Sequence, residues 1–347
     1  MRALLVAALL SVPAAALRPI MPPAPEFPAA APWFNAEPLS LARMRGRKAV
    51  LVAFLNPTEL RSLRLLPVLK AWFDRYALSQ LMVIGVLAPD LEAGKDASWL
   101  RAEVKRLGIE FPVVADPDRV LWKAYANDAA PALYLVDGRG RLVFDHVGEG
   151  DYDEFERELR EALGELAGRL PAAVEPEEPQ TKDCGRATAD VRLGARAKKR
   201  PLRLDGKSAG RAALLVAARE GELASRGRWT LDDDGMRLAQ ANPEQDALVR
   251  VVYGGAQALA VLAPPRGAKL RFFVKRDDQW LYEGIAGDDV RYDDDGRSFV
   301  TVSGLRLYDL ARDAEGRTHE LTVIPEAEGG EIHAFSFANR CLATKLP

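Results

Sequence analysis

The order of apolar and polar residues divides the chain into two regions with different periodicity. In the first region, the apolar runs 49–55 and 81–86 are typical of buried strands, and helical spacing of leucines follows the first run. This alternation of strands and helices predicts an α/β domain over residues 33–168. In the second region, residues 184–347, short apolar segments alternate with Gly- and Asp-rich turns. That spacing predicts a second domain, an all-β sandwich of the jelly-roll type.

Three further segments differ from these domains in composition. Residues 1–16 have one arginine, a short apolar run and an alanine-rich end, which is the pattern of a secretory signal peptide. Residues 17–32 are rich in Pro and Ala and predict an extended linker, and residues 169–183 predict an acidic, Pro-containing linker between the domains. We therefore expect an exported protein of the periplasm or cell envelope, or a secreted one. After signal cleavage it is not expected to be an integral membrane protein.

Composition excludes several classes of function. The chain has 347 residues and a formal net charge of −2, which argues against nucleic acid as a partner. His146, His319 and His333 are scattered and lack metal-ligand spacing, so we expect neither a metal nor another cofactor. Two aspartate runs, 232–234 and 293–295, each precede a glycine. We interpret them as solvated hairpin turns; calcium binding is the alternative.

The turn between the first buried strand and the first long helix is the most informative stretch. It follows the apolar run with Pro57 and Thr58, and Thr58 is a good N-cap residue. Glu59 then occupies a position where a carboxylate favours a helix start. The pattern therefore predicts a helix capped by Thr58, with Glu59 in its first turn.

This turn also carries a family resemblance. The segment from Trp33 to about Gly168 resembles the periplasmic thioredoxin-like domain of DipZ-type thiol–disulfide proteins, relatives of the TlpA-like redoxins. In that family the turn reads roughly VLVDFWTYSCINCLRTLPYV. Aligned with this chain, the two cysteines fall on Glu59 and Ser62, and a buried aspartate that helps to move protons falls on Ala53. The resemblance implies a thioredoxin fold and, for the family, thiol–disulfide exchange.

The residues at these positions do not support that exchange. It requires a thiolate to attack and a second sulfur to resolve, and neither Glu59 nor Ser62 supplies one. Ala53 removes the proton-handling group as well. We therefore interpret the turn as a degenerate redox site in which Glu59 and Ser62 serve the helix; other chemistry by an acid–hydroxyl pair is the alternative. The resemblance further implies that Pro131 is a cis proline facing this turn, while a trans proline at a strand start is the alternative.

The second domain resembles the C-terminal module of DipZ-type proteins, which is related to carbohydrate-binding modules. The matching features are 227–229, 304–308 and 334–337. Lectin-like sandwiches stack sugar rings on exposed aromatic side chains, although packing in the core or at its rim is the alternative for any one of them. The candidate sugar-binding residues are Trp280, Tyr282 and Tyr292.

The two cysteines bracket the second domain. Cys184 precedes its first strand and Cys341 follows its last. In an exported protein this arrangement favours a structural disulfide between them. A redox-active pair is the alternative, but the two residues lack CxxC spacing.

Three functions follow from these patterns. The first is an exported, redox-inactive binding or scaffold protein that holds a peptide or a glycan. It would use the groove near Glu59, Ser62 and Pro131, or the face of the sandwich. The second is a thiol–disulfide oxidoreductase of the cell envelope, as the family implies. The third is a carbohydrate-binding module with the redoxin domain as a spacer. Because sulfur is absent at positions 59 and 62, we favour the first and expect no oxidoreductase activity.

Overall fold

The computed structural model describes residues 21–174, 185–195, 219–241 and 247–339. The predicted signal peptide and both cysteines, Cys184 and Cys341, lie outside these ranges. A mixed sheet with helices is followed by two antiparallel sheets, so the predicted pair of fold classes, a thioredoxin-like α/β domain and a β-sandwich, is confirmed. No helix in the described ranges is long and apolar enough to cross a membrane.

The first domain is a six-stranded sheet with helices on its faces. Its strands are β1 (Trp33–Phe34), β2 (Ala49–Leu55), β3 (Leu81–Leu87), β4 (Val113–Ala115), β5 (Ala132–Val136) and β6 (Leu142–Val147). Its helices are α1 (Leu41–Met44), α2 (Leu60–Tyr76), α3 (Ala97–Arg106), α4 (Val120–Ala124) and α5 (Tyr152–Gly164). The strand order is β1-β4-β3-β2-β5-β6; β2, β3 and β4 run parallel, and the other pairs are antiparallel.

Strand β2 is central because both of its faces are apolar. Every residue of this strand is buried. Ala53 is fully buried and lies between Gly85 of β3 and Leu133 of β5 in the sheet. One face of β2 packs against α2, whose Leu63 and Trp72 are buried in the same core. This packing fixes the position of the loop that joins β2 to α2.

The described part of the predicted N-terminal linker, residues 21–32, is extended but packs on the first domain. Phe27 is buried, and the Ala24 amide donates a hydrogen bond of 3.0 Å to the carbonyl of Gly140. The Glu26 carboxylate accepts a hydrogen bond of 2.8 Å from the amide of Leu41, at the start of α1. The segment is therefore held by contacts that its Pro- and Ala-rich composition does not indicate.

The second domain consists of two packed antiparallel sheets. Its strands are β7 (Val191–Arg192), β8 (Leu223–Arg226), β9 (Arg228–Leu231), β10 (Met236–Gln240), β11 (Leu248–Gly254), β12 (Gln257–Ala263), β13 (Leu270–Arg276), β14 (Gln279–Trp280), β15 (Val290–Tyr292), β16 (Ser298–Val302), β17 (Arg306–Arg312), β18 (Thr318–Pro325) and β19 (Glu331–Ala338). The sheet of order β17-β12-β19-β10-β9, with β7 beside β19, is called the docking sheet. The sheet of order β15-β16-β13-β18-β11-β8, with β14 beside β13, is called the outer sheet.

The docking sheet packs on the thioredoxin-like domain. Every residue of β12 is buried because alternate side chains point in opposite directions. Ala260 and Leu262 pack inside the sandwich, whereas Leu259 and Val261 join the core of the first domain. The Trp99 indole of α3 adds a hydrogen bond of 3.0 Å to the carbonyl of Leu305. The two domains thus share a continuous apolar interface.

Candidate functional site between the domains

A cavity of about 730 Å³ lies where the docking sheet faces the loops of the thioredoxin-like domain. Its lining combines residues from both domains, and charged side chains predominate among the polar ones. The first domain contributes Asn56, Thr58, Glu59, Asp90, Leu91, Arg119 and Asp128. The sandwich contributes Asp190, Arg192, Leu193, Asp233, Asp234, Val261, His333, Ala334 and Ser336.

The loop between β2 and α2 is held together by hydrogen bonds to its own side chains. Asn56 Oδ1 accepts hydrogen bonds from the Thr58 amide at 3.1 Å and the Thr58 hydroxyl at 2.9 Å. Glu59 is the N-cap residue, with φ −109° and no side-chain capping bond. The prediction that Thr58 caps the helix is therefore wrong by one residue, because its hydroxyl is bonded to Asn56 within the turn.

Glu59 projects a largely buried carboxyl group into the cavity. Its side chain is 12% exposed, and its ion-pair partner Arg61 is distant, with 3.9 Å between Nη2 and Oε1. Burial raises the pKa of Glu59 to about 7, against the opposing attraction of Arg61 and Arg192. The group therefore changes charge near neutral pH, which an ordinary surface glutamate does not do.

The two other residues of the predicted groove lie behind the cavity wall. Ser62 is buried, and its hydroxyl accepts a hydrogen bond of 3.0 Å from the Asn56 amide. No hydrogen bond joins Ser62 to Glu59 in the described structure, so they do not form the acid–hydroxyl pair considered as an alternative. The Ala130–Pro131 bond is cis, as predicted. Pro131 is itself buried, and Asp128 from the same loop lines the cavity instead.

One carboxylate ties the two domains together at the cavity. Asp90, just beyond β3, forms ion pairs with Arg119 at the start of α4 and with Arg192 of β7. Arg119 also stacks over the Trp122 ring, with its guanidinium carbon 4.4 Å from the ring centroid. Because Arg192 belongs to the sandwich, Asp90 is a polar link across the domain interface.

The sandwich side of the cavity is also polar. Desolvation raises the pKa of Asp190, although its carboxylate accepts hydrogen bonds from the Ser336 hydroxyl and the Phe337 amide. The two ring nitrogens of buried His333 lie 3.2 Å from the Asp234 carbonyl oxygen and 3.1 Å from a Glu331 carboxylate oxygen. Both sides of the cavity therefore present groups whose charge depends on their surroundings.

The predicted turn at 232–235 forms part of this wall. The Asp232 carboxylate accepts hydrogen bonds from the amides of Asp234 and Gly235 at 2.9 Å and 2.8 Å, as a hairpin turn requires. A Cβ at Gly235 would lie 2.7 Å from Nδ1 of His333, so glycine permits the turn to pack against β19. The Asp234 carboxylate in turn accepts a hydrogen bond of 2.6 Å from the Glu92 amide in the first domain.

Most of the charged residues that line the cavity were not predicted from the sequence. Asp90 follows the apolar run of β3, and a polar residue at the carboxyl end of a parallel strand is a recognisable signal for a site. Asp190 and Arg192 had no such signal, because they reach the cavity only when the docking sheet packs on the first domain.

The three predicted sugar-binding aromatics lie on the outer sheet or its loops and do not line the cavity. Trp280 is half-buried, and the Lys275 ammonium nitrogen lies 4.2 Å from its ring centroid. Phe273 approaches the same ring edge-on at 6.1 Å. Tyr282 and Tyr292 are 64% and 42% exposed. The structure therefore does not bring the three aromatics to the cavity, and one face of Trp280 is already occupied.

Side chains able to bind a metal are dispersed over the part of the chain that the structure describes. No group of three or more His, Cys, Asp or Glu side chains there is arranged to hold a metal ion. The aspartate run at 293–295 forms a turn in which the Asp293 carboxylate accepts a hydrogen bond of 2.8 Å from the Arg297 amide. That turn has the predicted hairpin character.

Comparisons with known proteins agree with this architecture. Residues 214–338 match the family described as Thioredoxin like C-terminal domain. Protein DipZ of Mycobacterium tuberculosis is 28% identical over 262 residues, which cover 71% of this chain and 37% of the relative. NHL repeat-containing protein 2 of Homo sapiens is 31% identical over 132 residues, 38% of this chain and 18% of that protein.

A solved structure described as a thioredoxin-like protein in the oxidized form is also similar. It has 25% sequence identity and a TM-score of 0.39, and the match covers 43% of this chain and 99% of that one. The chain spans about a third of the length of the curated DipZ relatives that it matches. In its two-domain order and in these sequence matches, the chain is similar to DipZ-like redoxin proteins.

Proposed function

We propose that this chain is an exported, redox-inactive binding protein whose ligand occupies the cavity between its two domains. The observation that carries the proposal is the position of Glu59. Its carboxyl group stands at the start of α2, where the family resemblance expects the attacking cysteine, and it faces a cavity of about 730 Å³. Pockets for small ligands commonly enclose roughly 300–1,000 Å³, so the cavity has the size of a ligand site.

The chemistry of the loop supports binding over thiol–disulfide exchange. A carboxyl group forms no mixed disulfide, and the Ser62 hydroxyl is already engaged by the Asn56 amide. Ala53 has no group that moves a proton, and it is enclosed by β3 and β5. The family's redox chemistry therefore lacks its attacking, resolving and proton-handling groups at the positions where the resemblance expects them.

The burial of Glu59 gives independent support. A carboxyl group with a pKa raised to about 7 by burial opposes folding whenever it is ionised. Groups with a pKa shifted by burial are enriched at functional sites. The docking sheet covers one side of the site, so a ligand would contact both domains.

A disulfide-reduction assay tests the proposal. Purified protein is incubated with dithiothreitol and either insulin or hydroxyethyl disulfide, a small disulfide that fits the cavity. We expect rates equal to those of a protein-free control. Reduction of either substrate clearly above that control would support the oxidoreductase and overturn the proposal.

A double variant is the matched positive control for this assay. Glu59→Cys together with Ser62→Cys supplies sulfur at both positions while changing no other residue. We expect this variant to reduce hydroxyethyl disulfide, since its thiol at position 59 faces the cavity. Wild-type protein and the double variant must first give the same circular dichroism spectrum.

A further inference from the structure

A cluster of cationic side chains lies at the end of β2 that is opposite the cavity. Its five members are Arg43, Arg45, Arg47, Lys48 and Arg139. The first four come from the end of α1 and the turn that leads into β2, and the fifth comes from the turn between β5 and β6. The Gly46 amide donates a hydrogen bond of 2.7 Å to the carbonyl of Gly138, so the two turns are in contact. We call these five residues the basic patch.

The basic patch carries more positive charge than the carboxylates around it offset. In the described ranges, none of its five side chains forms an ion pair with another residue. Asp137, in the same hairpin turn as Arg139, is 4% exposed and pairs with Arg141 at 2.6 Å. The Glu26 carboxylate, whose oxygens accept hydrogen bonds from backbone amides of α1, is one opposing charge against five. The patch is therefore cationic, although the formal net charge of the chain is −2.

A fully exposed leucine lies beside the basic patch. Leu78, in the short turn that follows α2, is 100% exposed. The amide of Ala49, the first residue of β2, donates a hydrogen bond of 3.1 Å to the carbonyl of Gln80, so this turn borders the patch. Asp74 and Arg75, both exposed at the end of α2, offset each other in charge. The surface thus combines an excess of cations with a large apolar side chain that the protein leaves in water.

We infer that the basic patch and Leu78 bind the surface of an anionic phospholipid membrane. Cations near such a surface are attracted to its acidic headgroups, over a distance of about 10 Å at 0.1 M salt. An apolar side chain beside them enters the boundary between the headgroups and the acyl chains, where its burial adds to the affinity. The seven residues of β2 span about 20 Å, so binding at this end leaves the cavity away from the membrane.

The leucine decides between a membrane and a nucleic acid as the anionic partner. Both partners carry phosphate groups, and both would bind more weakly as the salt concentration rises. The phosphate backbone of a nucleic acid offers no apolar layer to a side chain that is completely exposed, whereas a membrane does. The combination of Leu78 with the basic patch therefore favours the membrane.

Co-sedimentation with lipid vesicles tests the inference. The protein used is the chain from residue 17 onward, because the apolar run in residues 1–16 would bind lipid by itself. Vesicles of phosphatidylcholine with about one third phosphatidylglycerol are compared with vesicles of phosphatidylcholine alone. We expect the acidic vesicles to bind at least about tenfold more tightly, and this preference to decrease between about 0.05 M and about 0.5 M salt.

Three variants connect vesicle binding to this surface. Arg45→Gln together with Arg47→Gln should weaken binding by roughly twenty-five-fold, about fivefold for each charge. Leu78→Ser should weaken it by roughly three- to tenfold, because the apolar contribution is lost. Arg266→Gln together with Lys269→Gln is the matched control, since these residues are exposed on the loop between β12 and β13 and give the same change of net charge. The control should alter binding by less than about twofold.

All variants must first give the circular dichroism spectrum of the wild type. Equal binding of neutral and acidic vesicles, or no binding of either, would overturn the inference. So would an unchanged affinity of the Arg45 and Arg47 double variant, or an equal loss in the control. A DNA duplex that binds while the vesicles do not would identify a nucleic acid as the partner and exclude the membrane. The disulfide-reduction assay tests the proposed function separately.

Discussion

The cavity around Glu59 and the outer-sheet surface around Trp280 use their polar and aromatic groups in different ways. At the cavity, the Glu59 carboxyl group is buried and its partner Arg61 lies at 3.9 Å. On the outer sheet, the Trp280 ring already contacts the Lys275 ammonium group at 4.2 Å. A buried group with a shifted pKa is a candidate for a functional site, whereas groups paired closely within the protein contribute to stability. The cavity is therefore the better candidate for a ligand site than the outer sheet.

The largest expected effect concerns the interface that creates the cavity. Leu307 of the docking sheet is 1% exposed and belongs to the core shared with the first domain. We expect Leu307→Ala to lower the free energy of unfolding by about 2–5 kcal/mol, because it leaves a void in that interface. Urea unfolding measures the change.

An exposed position on the outer sheet provides the control. Thr301→Ala is expected to change the free energy of unfolding by less than about 0.5 kcal/mol. A loss below about 1 kcal/mol for Leu307→Ala would contradict the close packing of the two domains.

The second expected effect is a change of stability with pH. The pKa of Glu59 is raised from 4.5 to about 7 in the folded state. Between these values the folded protein binds the proton more tightly than the unfolded chain does, so this group makes stability fall as pH rises through that window. Glu59→Gln should therefore raise the free energy of unfolding at pH 8 by about 1–3 kcal/mol and have little effect at pH 5.

Unfolding measured at both pH values separates this effect from a general change in packing. A variant that is equally stabilised at pH 5 and pH 8 would show that the ionisation of Glu59 is not responsible. Glu37→Gln, at an exposed position of the first domain, is the matched control for the removal of a glutamate charge.

A smaller effect is expected at the polar link between the domains. Asp90→Asn weakens the ion pairs with Arg119 and Arg192, whose side chains are 35% and 50% exposed. Because solvent screens such pairs, the loss of stability should be about 1 kcal/mol or less. Faster amide hydrogen exchange in β7 is the more sensitive measurement. Asp295→Asn, at a 75% exposed ion pair on the other side of the sandwich, should leave exchange in β7 unchanged.

The smallest effect is expected on the outer sheet. Lys275→Gln removes the ammonium group above Trp280 and should lower the free energy of unfolding by about 0.5–1 kcal/mol. An unchanged free energy of unfolding would contradict a stabilising contribution from this cation–π contact. Lys105→Gln, on the exposed side of α3, is the control for removal of a surface charge.

The amino-acid sequence by itself determined the two fold classes and the residue types at the start of α2. Apolar runs such as 49–55 predict buried strands, because strands enclosed on both faces have such continuous apolar character. The identities of Glu59 and Ser62 alone imply that no sulfur stands at the start of α2. The cis bond before Pro131 was also predicted from the sequence, through the family resemblance.

Tertiary structure alone decided where the site lies and what charges surround it. Asp190 and Arg192 are more than 100 residues from Glu59 in the chain, and they meet it only because β12 uses its second face to dock on the first domain. The raised pKa of Glu59 has the same origin, since burial depends on the domain that covers it. Sequence patterns report which faces are apolar, but not which surface each face will cover.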